Sequence, residues 1–196
     1  MQRRTSSWYR LGAMGRLAVL SLVVMLAGGF AAPAMAQDEE PNIDTYVSDA
    51  YDFSIEWDQN LWNSSSSVSF GDQESLTISN GVTTVSFNLS PASGQSVAEC
   101  TDLAVSDIES NPDFLEPKAV NNLEVPGPLG SDDGVTLVYG ELLEGRTSPV
   151  EIGAYVTCQP VTIDGMLLIQ VETRLGIWGE EMEIVEALLE TMDAEV

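Results

Sequence analysis

The sequence predicts an α+β fold, an antiparallel β-sheet sandwiched or covered by two main helices. Three observations predict it. Several segments alternate apolar and polar residues with the period of a half-buried strand, two of the links between them carry Asn-Gly or Asp-Gly, and two stretches repeat apolar residues at helical spacing. Short links join antiparallel neighbours, and an amphipathic helix must lay its apolar stripe on a sheet or on another helix.

Residues 1–36 read as a secretory signal peptide rather than as structure. Arg3, Arg4, Arg10 and Arg16 make a basic front end, residues 17–30 are apolar apart from Ser21 and Gly28-Gly29, and Ala34-Met35-Ala36 is a small-x-small cleavage site. The competing reading is a membrane anchor. The apolar run is short for a span of about 20 residues, and Pro33 with small neighbours stands where a span would continue. The expectation is cleavage near Ala36-Gln37 and a secreted, extracytoplasmic product: a flexible acidic lead at 37–45 followed by a single α+β domain at 46–196.

In the folded region, Tyr51, Phe53, Ile55 and Trp57 alternate with Asp52, Ser54 and Glu56, a half-buried strand that Asp58-Gln59-Asn60 turns toward Trp62. The serine run 64–67 leads to Val68 and Phe70, a short strand. Leu76 and Ile78, then Asn80-Gly81, then Val85, Phe87 and Leu89 form the clearest hairpin, because Asn-Gly supplies the positive φ angles of a two-residue type I′ turn. Ser96-Val97-Ala98-Glu99 is a capping box, in which serine oxygen and glutamate carboxylate satisfy orphan amides at a helix start. Val97, Cys100, Ala104 and Ile108 continue that helix until Asn111-Pro112 stops it. Residues 117–126 are a further strand candidate, and 125–134 are a Pro/Gly-rich loop. Strand-like runs follow at 135–143, 150–159 and 166–175, the last two linked through Asp164-Gly165. Residues 178–192 close the chain as a helix with Met182, Val185, Leu188, Leu189 and Met192 on its apolar stripe.

Composition excludes more than it assigns. The 196 residues contain no His, which removes Ser-His-Asp and Cys-His catalysis and His-based zinc sites. Four of the seven basic residues lie in the signal, leaving Lys118, Arg146 and Arg174 against 31 acids, a net charge of −28 on the processed chain. That balance speaks against nucleic acid and against an anionic membrane surface, and it favours a cationic protein or surface as partner. Self-repulsion of this size is relieved by salt, which shortens the Debye length to about 3 Å at 1 M, or by acid near the carboxylate pKa of about 4. Simple solubility is the third reading of the acidity.

Cys100 falls on the apolar stripe of the first helix, and Cys158 shares a strand face with Ile152, Ala154 and Val156. A disulfide tying helix to sheet is expected in an exported chain; two buried free thiols are the alternative. A redox pair is not expected, because the spacing is not C-x-x-C and no basic neighbour lowers a thiol pKa.

The stretch from Tyr51 to Trp57, with Trp62 beyond it, resembles the opening of the PsbP-like and Mog-type secreted domain family, and a long strand followed by the helix at 181–192 is similar to its ending. Asp58 stands where family members often carry Pro, and the interval from Trp57 to Trp62 is one residue longer. The resemblance implies an antiparallel sheet between helices and a non-catalytic accessory or binding role. It carries no functional residue over, since the chain has neither a Lys-rich docking surface nor His.

Three candidate sites remain. Asp132 and Asp133 in the Pro/Gly-rich loop offer hard oxygen ligands to calcium, although the EF-hand spacing is missing and a solvated acidic turn is the better account of them. Trp57 and Trp62 are candidates for a surface aromatic platform, against the alternative that both are core. Carboxylates paired across a cleft would make a hydrolase. The sequence therefore predicts a secreted non-catalytic binding or accessory domain with a strongly acidic surface, using a sheet edge, the Pro/Gly loop or an acidic face. The alternatives are a carboxylate-based extracellular hydrolase and a calcium-stabilised structural module.

Overall fold

The structure is a computed structural model that describes residues 40–125, 133–143, 145–162 and 164–194, with the backbone alone at Ser65. The segment 1–36, and with it the expected cleavage site, lies outside the described residues. Residues 40–194 fall within one compact unit.

Strands β1 (Ile43–Val47) and β2 (Phe53–Asp58) pair antiparallel, and β10 (Asp193–Ala194) joins the other edge of β2. The sequence predicted one sheet; these three strands form a second one. Strand β1 also corrects the expected lead at 37–45, because the sheet already begins at Ile43. Its pattern was hard to read because Ile43 and Val47 stay exposed, so no buried alternation marks it.

The large sheet runs β3 (Asn63–Phe70), β4 (Gln73–Ser79), β5 (Thr84–Pro91), β9 (Gly165–Arg174), β8 (Val150–Pro160), β7 (Val135–Glu141), β6 (Phe114–Val120), with every neighbour antiparallel. Helix α1 (Val97–Ser110) lies between β5 and β6 in sequence, and α2 (Trp178–Leu189) follows β9 through a 3₁₀ turn at Leu175–Ile177.

Alternate residues along β8 and β9 enter different cores. Val171, Ile169 and Leu167 of β9 join Val85, Phe87 and Leu89 of β5, and they meet Phe53, Ile55 and Trp57 of β2 and Met182, Val185, Leu188 and Leu189 of α2. Ala154 and Val156 of β8, with Leu137 and Tyr139 of β7, meet Ile108 of α1. The period-2 and 3.6-residue patterns thus bury the faces they predict.

Helix α1 starts with the capping box: Ser96 Oγ accepts the Glu99 N–H at 3.2 Å, and Glu99 Oε2 accepts the Ser96 N–H at 2.9 Å. The Ser96 backbone and side-chain bonds hold the Glu99 carboxyl below its usual range. Cys100 and Cys158 form the expected disulfide, with Cα atoms 6.1 Å apart, and it staples α1 to β8.

Four local predictions are corrected. The Asn80-Gly81 link is a four-residue loop, since Ser79 pairs with Thr84; Asn80 Oδ1 accepts the N–H groups of Val82 and Thr83, and Gly81 takes φ +87°. An Asx turn therefore replaces the type I′ turn. Strand β6 begins at Phe114, ahead of the predicted 117–126, and Glu116 takes a positive φ beside its register shift. Strand β3 is longer than expected, and Val68 and Phe70 are exposed because β3 is an edge of the sheet. Helix α2 ends at Leu189 rather than at 192.

Candidate functional site

Trp57 and Trp62 come together by local chemistry. Asp58 Oδ1 accepts the N–H groups of Asn60 at 2.9 Å and Asn42 at 3.1 Å, while the Asp58 carbonyl accepts those of Leu61 at 3.0 Å and Trp62 at 2.8 Å. That turn folds Trp62 back beside the end of β2. Helix α2 closes the other side. Thr191, just past its end, accepts the Glu56 N–H at 3.3 Å, and its hydroxyl lies 2.6 Å from the Glu56 carbonyl and 2.7 Å from that of Leu188.

Between β2 and α2 a cleft of about 230 Å³ remains, lined by both tryptophans, by Ile43 and Leu61, by Ile184, Ala187 and Leu188 of α2, and by Glu56, Asp58 and Thr191. Trp57 and Trp62 are only 5% and 2% exposed, so they are core and not a surface platform. The large exposed apolar side chains at the cleft are Ile43, Leu61 and Ile184. Trp57 Nε1 is buried with no hydrogen-bond partner among the described residues. A buried donor without an acceptor is costly, and native folds hold few of them.

A second hollow, of about 280 Å³, brings Glu141, Glu172, Arg174 and Tyr139 to one place. Glu172 Oε1 is engaged there, accepting from the Tyr139 hydroxyl and from Gln170 Nε2. Burial first, and then the Glu172 charge and hydrogen bond, push the Tyr139 phenol well above its usual range. The described carboxylate that is buried, Glu74, is structural: it accepts from the Tyr46 hydroxyl at 2.5 Å and the Ala50 N–H at 3.0 Å, holding the β1–β2 link against β4. Burial, followed by Glu74, raises the Tyr46 phenol as well.

Asp132 lies outside the described residues; Asp133 is exposed in the turn before β7. Among the described residues no group of three or more His, Cys, Asp or Glu is placed to hold a metal ion. The tryptophans are thus brought together as core walls of a cleft.

Sequence reasoning missed Ile43, Leu61, Ile184, Ala187 and Thr191. One signal was present: Ile184, Ala187 and Thr191 recur at helical spacing with Leu188 at the border of the main stripe of α2, and Ile184 stands between Glu183 and Val185. An apolar residue off the core stripe marks a second face.

No protein-family model matches the chain, and no curated protein does. Among solved structures it is similar to the cyanobacterial PsbP (CyanoP) from Synechocystis sp. PCC 6803, determined in solution. Identity is 11%, the match covers 83% of this chain and 98% of that one, and the TM-score is 0.44.

Proposed function

We propose that the chain is an exported, non-catalytic binding domain whose acidic exterior engages a cationic partner. The observation that carries this reading is the placement of charge. Among the described acids Glu74 alone is buried, and the three described basic residues, Lys118, Arg146 and Arg174, are exposed among an excess of carboxylates. A field of one sign steers an oppositely charged partner and is screened by salt. The disulfide suits an oxidising compartment, the sequence at 1–36 has the form of an export signal, and among the described residues no helix is long and apolar enough to cross a membrane.

Carbodiimide cross-linking tests the reading, because it joins carboxylates to amines in direct contact. Residues 37–196, added to the exported fraction of the source cells, are expected to give a discrete adduct at low ionic strength that disappears in molar salt. No adduct at any ionic strength, or turnover of glycoside or ester substrates that Glu141→Gln or Glu172→Gln abolishes, would overturn it.

A further inference from the structure

An edge strand offers unpaired N–H and C=O groups to any strand that passes, and folds guard such edges with charge, proline or a bulge. Strand β6 is guarded by Glu116, Pro117 and Lys118, with a register shift and a positive φ at Glu116. Strand β1 carries Asp44. Strand β3, the other edge of the large sheet, carries neither charge nor proline along its 8 residues, in a chain with 31 acids. Its own register shift falls between Ser64 and Ser66, so Ser66–Phe70 remains a regular run. Val68 and Phe70, 58% and 82% exposed, alternate onto one face of that run. The same face passes under α1 farther along the sheet, where the row of paired residues runs Cys158, Leu168, Asn88, Ser75, Val68. Helix α1 packs on β8, β9 and β6. The row therefore turns polar at Asn88 and Ser75 and apolar again at the edge, where Val68 and Phe70 join neither buried cluster.

A strand that suits this edge is uncharged and brings apolar side chains to the same face. Strand β3 itself meets both conditions. Two antiparallel strands related by a two-fold axis keep their faces in common, and the contact is self-complementary. The register that uses all of Ser66–Phe70 sets Val68 opposite Val68 of the second copy and Ser66 opposite Phe70 of the second copy. Each Phe70 ring then reaches the other copy's Val68 on the diagonal. We infer that the chain forms a two-fold dimer by antiparallel pairing of β3 with β3 of a second copy, closing both edges and joining Val68 and Phe70 of each into one apolar cluster. Two copies that each carry −28 meet there at the least charge cost, because β3 sets no carboxylate against another. Salt separates this contact from the cationic-partner reading above: screening weakens attraction between opposite charges and relieves repulsion between like ones.

Sedimentation equilibrium of oxidised residues 37–196 tests the dimer, in sodium chloride at about 10 mM and at about 1 M. The expected result is one copy at low salt, and in molar salt a mass that climbs toward two copies with protein concentration. The dissociation constant is expected on the order of 100 µM, as suits an interface below the standard size. The β3 amides are expected to exchange with solvent more slowly as the dimer fills. Val68→Glu sets two carboxylates against each other on the two-fold axis and is expected to weaken association at least tenfold, without lowering the melting temperature at low salt. Phe70→Ser is the second variant and is expected to weaken association several-fold. Val47→Glu, the same charge placed at the exposed end of β1, is expected to leave association unchanged. A single copy at every concentration in molar salt would overturn the inference. Undiminished association by both β3 variants, or an equal loss with Val47→Glu, would do the same. Protection of the β3 amides that appears only when the exported fraction is added, with the mass of the chain alone fixed at one copy, would assign the edge to a foreign strand and overturn the dimer. The carbodiimide adducts stand or fall independently of each of these results.

Discussion

Trp57 and Tyr139 are buried aromatics whose polar atoms lead to opposite predictions. The Trp57 N–H is desolvated without an acceptor among the described residues, so Trp57→Phe removes a penalised donor at a small cost in packing. Stability is expected to stay unchanged or rise by about 1 kcal/mol, read from the urea midpoint at constant slope. A loss above about 2 kcal/mol would show that the indole nitrogen is satisfied. Tyr139 donates to Glu172, and its phenol is raised first by burial and then by that carboxylate. The fold therefore favours the neutral phenol. Its contribution is fully present below the ordinary tyrosine value of about 10 and is lost as pH climbs above it, at up to about 1.4 kcal/mol per pH unit. Tyr139→Phe is expected to flatten the alkaline fall in stability between about pH 9 and pH 11. An identical fall in wild type and variant would assign that loss to other groups.

The disulfide and the helix caps show how much of each element was legible in the sequence. Cys100 and Cys158 close a separation of 58 residues, and the chain-entropy model gives about 4 kcal/mol for a loop of that length. The Cys100→Ser, Cys158→Ser double variant is expected to lose stability of that order by chemical denaturation, and a loss under about 1 kcal/mol would contradict an entropic role. The bond was readable because a helical stripe and a strand face each placed one sulfur toward a core. The capping box was readable because Ser96 and Glu99 act across three residues. Strand β1 and the second sheet were not readable, because β2 carries a periodic signature but its partners do not: Ile43 of β1 stays exposed, and β10 is two residues long. The cleft was hidden for a related reason. Trp57 and Trp62 were visible, but their partner wall on α2 comes from residues more than 120 positions away, and only Ile184 hinted at it. The β8–α2 contact was equally silent: a Cβ on Gly153 would lie 2.5 Å from the Trp178 ring. Gly153→Ala is therefore expected to cost about 1–3 kcal/mol by overpacking, measured as a lowered urea midpoint, whereas a neutral result would mean that the ring moves freely.

At the scale of the whole molecule, charge dominates. The processed chain would carry −28, and its described carboxylates, Glu74 apart, stand at the surface. Such a surface repels itself at low ionic strength and attracts cations from a distance, so the feature that draws in a partner also weakens the fold. Neither helix offsets this with basic residues in its last turn, where cations would complement the helix dipole. The most direct measurement is the melting temperature of oxidised residues 37–196 as sodium chloride is raised from about 10 mM to about 1 M, where the Debye length falls from about 30 Å to about 3 Å. A continuous rise of several degrees is the predicted result. A melting temperature that stays level or falls would contradict an exterior ruled by unscreened carboxylates, and with it the acidic binding surface.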